Sequence, residues 1–151
     1  MTIYLGTDHQ GWHLKNKVFA YLTKRGYSVV DVGSHELNPG DDFPQFAQAA
    51  ALKLIDEEND IDKAILICGG GQGMAIAANR FRGVRAIVAQ SAEDARMGRN
   101  DNDANALALS ARLLDCDDDH CWQDIVDTFL MTEFSGAVRY IRRNQELDEI
   151  S

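Results

Sequence analysis

Residues 64–79 read AILICGGGQGMAIAAN, and the order of residue types in this stretch decides the fold. Ala64 to Ile67 form a short apolar run of the kind found in a strand buried on both faces of a parallel sheet. Cys68 follows, then Gly69, Gly70, Gly71, Gln72 and Gly73, then an alanine-rich segment with high helix propensity. Strand, glycine loop and helix in succession put Cys68 at the carboxyl edge of a sheet, beside the free N–H groups of a helix N-terminus. Glycines let the backbone approach a ligand closely, so successive N–H groups can converge on one oxyanion. A buried, inert thiol in a tight turn is the competing reading, and the four glycines weigh against it.

Two phosphate loops are excluded by spacing. A Walker loop needs a Lys after its second glycine, and none follows here. The dinucleotide fingerprint needs Gly or Ala at its sixth place, which is Met74 when counted from Gly69 and Ile76 when counted from Gly71. The stretch also lies in mid-chain, whereas that fingerprint opens the first βαβ unit. A nucleotide cofactor is therefore not expected.

Outward from this centre, strands and helices alternate. Strands are expected at Ile3–Thr7, Ser28–Val32, Ala64–Ile67, Ala86–Ala89 and Ala106–Ser110. Helices are expected from Trp12 to Arg25 (stopped by Gly26), from Phe43-Pro44 to about Glu57, from Met74 to Phe81, from Ala92 to Gly98, from His120 to Glu133 and from Arg139 to Glu149. The polar segment from Gly33 to Asp42 is the longest loop. The pattern predicts a three-layer α/β/α, Rossmann-like (flavodoxin-like) domain with a five-stranded parallel sheet and a C-terminal helix, one domain over residues 1–151. In such sheets the ligand binds beyond the carboxyl ends of the strands. Those ends carry Asp8 and His9, the loop from Gly33, Cys68 with its glycines, and Ser110 to Arg112.

Composition narrows the partners. The chain has 151 residues, 45% hydrophobic and 26% charged, the balance of a globular protein. A net charge of -9 disfavours nucleic acid, whose binding depends on neutralising phosphates. No run approaches the roughly 20 apolar residues of a membrane span, and the N-terminus lacks the pattern of a signal peptide, so a cytoplasmic protein is expected. Three cysteines argue against a disulfide framework. Cys116 and Cys121 flank His120, but this spacing matches no standard metal site. Asp117, Asp118 and Asp119 read as the acidic first turn of a helix whose buried face is Cys121, Ile125 and Phe129.

Four segments carry a family resemblance: GTDHQGWHLK (6–15), DDFPQFA (41–47), ILICGGGQGMAIAANRFRGVRA (65–86) and NDANALALSAR (102–112). The chain resembles the sugar-phosphate isomerases that comprise type B ribose-5-phosphate isomerase and the galactose-6-phosphate isomerase subunits. The likeness implies interconversion of aldose and ketose phosphates through a cis-enediol, most simply ribose 5-phosphate and ribulose 5-phosphate, with no metal or other cofactor. It implies that Cys68 is the general base at C2 and that the amides of Gly69, Gly70, Gly71 and Gly73 stabilise the enediolate. Asp8, His9 and Phe43 would contact substrate, Asn102 a sugar hydroxyl, and Arg112, Arg139 and Arg143 the phosphate. A homodimer or tetramer with active sites shared between chains is implied too. Bottom-up, a thiolate at a helix N-terminus is a competent base, and Arg139 and Arg143, four apart, share a helix face able to clamp a dianion.

Three positions depart from the family's pattern. Asp101 stands where a His assists opening of the furanose ring, Gly70 where a Thr or Ser hydroxyl helps move the proton between oxygens, and Phe43 where Tyr is frequent. A tetrose 4-phosphate cannot close a furanose, so it is an alternative substrate, as is a hexose 6-phosphate. A non-catalytic sugar-phosphate-binding subunit is a further alternative, opposed by the retention of Cys68. A flavodoxin-like cofactor carrier rests on fold analogy alone.

Overall fold

The computed structural model describes residues 1–56 and 61–150. Its strands are β1 (Thr2–Thr7), β2 (Ser28–Asp31), β3 (Lys63–Cys68), β4 (Ala86–Val88) and β5 (Ala106–Ser110). The helices are α1 (Trp12–Lys24), α2 (Phe43–Asp56), α3 (Gln72–Ala78), α4 (Ala92–Asn102), α5 (Ala111–Leu114), α6 (His120–Met131) and α7 (Val138–Glu149), with a short 3-10 turn at His9–Gly11 before α1. The expected end of α2 at Glu57 lies outside the described residues.

All strand pairs are parallel, in the order β2-β1-β3-β5-β4. The flavodoxin order has the last two strands in sequence. Here β5 inserts between β3 and β4 and pairs with β3 so that Cys68 faces Ser110. Every residue of β3 is buried, as its apolar run predicts.

Side-chain alternation divides the core. On one face Ile3, Leu5, Ile65, Ile67, Leu107 and Leu109 pack with Leu14, Val18 and Leu22 of α1 and with Trp122, Ile125, Val126 and Phe129 of α6. The other face is Tyr4, Ala64, Leu66, Ala106 and Ala108 under Ala47, Ala50 and Ala51 of α2 and Met74, Ala75 and Ala78 of α3. Small residues on both sides of that second layer let α2 and α3 lie close to the sheet, and close packing is where dispersion contacts accumulate.

Several boundaries differ from expectation for identifiable reasons. Helix α4 does not stop at Gly98 but runs to Asn102. Gly98 is buried against Ile87, whose side chain occupies the space a Cβ would need, so it is a packing glycine and not a stop signal. The stop is Asp103, in the left-handed conformation at φ 45°, whose N–H bonds back to the Arg99 carbonyl. Helix α3 ends at Ala78, short of Phe81, because the Asn79 side chain bonds both the N–H and the carbonyl of Ala86 and turns the chain into β4. Asp117, Asp118 and Asp119 precede α6 instead of forming its first turn; Asp119 accepts from Trp122 Nε1 and Lys17 Nζ. Among the described residues no helix is long and apolar enough to cross a membrane.

A buried cation fixes the loop after β2. The Lys15 side chain, 3% exposed, donates from Nζ to Asp31 Oδ2 at 2.7 Å and to the Ser34 carbonyl at 2.5 Å. The ammonium neutralises the end of β2 and anchors the start of the 33–42 loop. Removing one member of such a pair strands the other without a counter-charge. Lys15→Met should therefore lower stability by about 3 kcal/mol, read as a shifted urea midpoint at unchanged slope; an unshifted midpoint would show that the pair contributes nothing.

Candidate active site

The sheet reverses its winding direction between β1 and β3, and the residues following these two strands meet in space. At the end of β3, Cys68 is 6% exposed, and the N–H of Gly71 donates to its sulfur at 3.1 Å. Gly71 has φ +80° and caps α3, a conformation that penalises any side chain. The Gly69 carbonyl accepts from the Arg112 N–H at 3.1 Å and from Ser110 Oγ at 2.9 Å, which ties the glycine collar to the end of β5.

The walls around the collar come from β1, α2 and α5. Asp8 is buried, and its Oδ1 accepts from the N–H groups of Gln10 and Gly11, which holds the 3-10 turn over the end of β1. Gln10 reaches across to accept from Arg112 at 2.7 Å, and a Cβ added at Gly69 would run into Gln10 Oε1 and lie 3.0 Å from Arg112 Cζ. Gly69 is thus required by close approach. Phe43, at the start of α2, covers Gly73, where a Cβ would lie 2.8 Å from its ring. A Cβ at Gly70 would meet the Gln72 side chain, and none of these collar contacts supplies the hydroxyl that Gly70 lacks. His9 bonds to Asp41 through both its N–H and its Nδ1. Asp8, His9 and Asp41 each bring one ligand atom within 4.8 Å of the others. Cys116 and Cys121 are free thiols at the α5–α6 junction, 3.0 Å apart and away from this cluster.

Within one chain, therefore, Cys68, Gly69, Gly70, Gly71, Gly73, Asp8, His9, Phe43 and Arg112 gather at the carboxyl edge. The remaining candidates do not. Helix α4 returns the chain from the end of β4 to the start of β5, so Asp101 and Asn102 lie at the amino edge, about 16 Å away at the strand rise of a five-residue β5. The contacts there agree. The Asn102 carbonyl accepts from Nε of Arg85, the residue just before β4, and Asp101 accepts from its neighbour Asn100. Arg139 and Arg143 are on α7, which packs on α4; Arg85 also bonds Asp148 of α7 at 3.1 Å. Both arginines group around Tyr140, 4.6 and 5.9 Å from its ring centre. Two cavities of about 500 and 600 Å³ open on this amino edge and share Arg82 and Arg85 in their walls.

Residues overlooked in the sequence are Gln10 and Asp41. Gln10 follows Asp8-His9 directly at a strand's carboxyl end, a usable signal; Asp41 lies distant in sequence and becomes visible only when the 33–42 loop folds back on the 3-10 turn.

The collar, its thiol and its flanking Asp, His and Arg side chains are accompanied by similarity along the whole chain. The family model for Ribose/Galactose Isomerase matches residues 3–147. This chain belongs to that isomerase family. Ribose-5-phosphate isomerase B of Escherichia coli is 36% identical over 149 residues, covering 99% of this chain and 93% of the relative. That of Mycolicibacterium paratuberculosis is 34% identical over 152 residues, covering 99% and 91%. Among solved structures, Clostridium thermocellum ribose-5-phosphate isomerase B superposes with a TM-score of 0.90 at 41% identity, covering 99% of this chain and 96% of the other. Mycoplasma genitalium ribose-5-phosphate isomerase B with bound ribulose-5-phosphate gives 0.89 at 35% identity, covering 97% and 93%.

The Gly69 contact makes a direct prediction. Gly69→Ala displaces two flexible side chains and no backbone, so stability should change by less than about 0.5 kcal/mol. Sugar-phosphate turnover should fall by at least about tenfold, because the Gln10–Arg112 bridge over the collar is broken. Full retention of turnover in steady-state assays would remove that bridge from the site.

Proposed function

We propose that this chain interconverts ribose 5-phosphate and ribulose 5-phosphate, with Cys68 as the base that carries the proton between C1 and C2. The observation that carries the reading is the Gly71 N–H donated to the Cys68 sulfur at the mouth of a collar of amides. A thiolate there faces the carbon next to the carbonyl, while the Gly69 to Gly73 amides accept the charge that develops on oxygen as the enediolate forms. Such donors act without reorganising, which is why they outweigh any single ground-state contact. Asp8 and Arg112 flank the collar, Arg112 as one ligand of the phosphate and Phe43 as an apolar wall.

The reading extends to assembly. We assign Asn102, Asp101, Arg139 and Arg143 to the active site of a second copy: a homodimer, alone or within a tetramer, would set the amino-edge face of α4 and α7 of one chain against the collar of the other. Support comes from Val138 and Ile141, which are 81% and 41% exposed in the single chain, on the same helix as the two arginines. Exposed apolar side chains beside clustered arginines suit a protein interface. The proposal is of one cytoplasmic enzyme domain over residues 1–151, working on a free sugar phosphate without nucleic acid or membrane. A tetrose 4-phosphate is the second reading. It is favoured by Asp101 and Gly70, since a substrate that cannot cyclise needs no ring-opening His.

Complementation between inactive variants tests both levels. Cys68→Ala and Asn102→Ala should each lose ribose 5-phosphate isomerisation by at least about 100-fold. When the two are mixed and allowed to exchange subunits, about a quarter of wild-type activity should return, because half of the sites in each hybrid dimer combine the intact Cys68 of one chain with the intact Asn102 of the other. Undiminished turnover in Cys68→Ala would end the mechanistic reading. Failure of the mixture to recover would end the shared site. A strong preference for a tetrose 4-phosphate in the same assay would replace the pentose.

A further inference from the structure

The junction between α5 and α6 brings together two thiols that the carboxyl-edge site does not use. Cys116 is exposed, Cys121 is half-buried in the first turn of α6, and their sulfurs lie 3.0 Å apart. That separation is about 1 Å longer than a disulfide bond of about 2.0 Å, so small side-chain rotations close it. Both sulfurs also lie 3.1 Å from the Asp118 carbonyl. A thiol is a weak donor, so that carbonyl loses little when the hydrogen leaves.

Contacts that do not involve sulfur hold the turn in this shape. Lys17 Nζ, on α1, donates to the Cys116 carbonyl at 3.3 Å and pairs with Asp115 at 3.0 Å and with Asp119 at 3.2 Å. Trp122, buried in the core, donates from Nε1 to Asp119 Oδ1 at 3.0 Å, and the His120 N–H donates to Asp118 Oδ1 at 3.1 Å. A pre-formed turn thus presents the two sulfurs to each other. A metal fits them less well. Zinc–sulfur bonds of about 2.3 Å spread two tetrahedral ligands to about 3.8 Å, and among the described residues only Asp8, His9 and Asp41 form a group of three or more ligands close enough to share an ion.

We propose that Cys116 and Cys121 are a redox modification site, which closes an intramolecular disulfide by exchange with a small organic disulfide that is cationic or uncharged. Burial and the neighbouring Cys116 hold the Cys121 thiol above its ordinary value, so the exposed Cys116 attacks first. Its thiolate takes one sulfur of the partner, whose S–S bond breaks and releases one thiol with the bond's electron pair. Cys121 then attacks the Cys116 sulfur, the mixed disulfide breaks, and the second thiol leaves. The pair is oxidised by two electrons, the partner is reduced by two, and the protons of both cysteines end on the released thiols. Asp115, Asp117, Asp118 and Asp119 outnumber Lys17 around the pair, which repels an anionic partner. Where thiols keep the compartment reducing, the pair rests as a dithiol. Once closed, the bridge ties the end of α5 to α6, whose Ile125, Val126 and Phe129 fill the core, and so resists unfolding. Cys68, being buried, is shielded from the same partner.

The test treats the reduced full chain with cystamine, a cationic disulfide, and with the anionic glutathione disulfide. Cystamine should remove two hydrogens from the intact mass and leave no adduct. Fragmentation should place the link between Cys116 and Cys121, with Cys68 still open to alkylation after unfolding. In low salt cystamine should react about tenfold faster than glutathione disulfide, and the difference should narrow in high salt. The oxidised chain should melt about 3 to 8 °C above the reduced one and return on reduction, whereas Cys116→Ser should show no such rise. Adducts retained on both thiols, a link between chains, earlier loss of Cys68, a rate ratio indifferent to salt, or an unmoved melting temperature would overturn the assignment.

Discussion

Everything at the carboxyl edge depends on how the chain leaves β3. Pairing of β3 with β5 puts Cys68 opposite Ser110, and the Gly69 carbonyl is then held by the Ser110 hydroxyl and the Arg112 amide together. Two donors on one carbonyl fix the first peptide of the collar, and the Gly71 N–H, two residues on, is donated to the sulfur. Insertion of β5 between β3 and β4 is what makes this latch available. In the flavodoxin order the neighbour of β3 would be the strand that directly follows it in sequence. The strand exchange therefore brings Arg112 to the collar, on the strand end adjacent to that of Cys68.

The sheet and most of its cover were legible in residues 64–79 and in the alternation around them, because a strand buried on both faces leaves a continuous apolar run and amphipathic helices leave a 3.6-residue period. The placement of Cys68, its glycines, Asp8 and His9 was legible for a related reason, since they lie at or just past the carboxyl end of a strand. Less legible was the strand order, because local sequence does not encode which strand a crossover reaches. Gly98 misled as a stop signal: a glycine under a packed Ile87 and a glycine that ends a helix are the same letter. The contact of Asp41 with His9 was not legible because it comes from a loop folding back across 32 positions of sequence.

The division of the candidate residues between two edges of the sheet has a physical consequence. In one chain Cys68, its glycine collar and Arg112 lie at one edge of the sheet, and the arginines of α7 lie at the opposite edge beside exposed apolar side chains. A site that must exclude water from an enediolate gains most when a second surface closes it. The three departures from the family's usual residues fall into the same pattern. Gly70 and Phe43 line the collar, whereas Asp101 lies at the opposite edge of the sheet.

The most direct measurement is a crystal structure of the chain with ribulose 5-phosphate bound, reading the distance from Cys68 Sγ to the reacting carbons. The account predicts a sulfur-to-carbon approach of about 3.5 Å or less, the span of a near-attack geometry, with the carbonyl oxygen among the Gly69 to Gly73 amides and the phosphate on Arg112. A sugar phosphate seated instead in the amino-edge cavities against Arg82 and Arg85, with Cys68 out of reach, would contradict it.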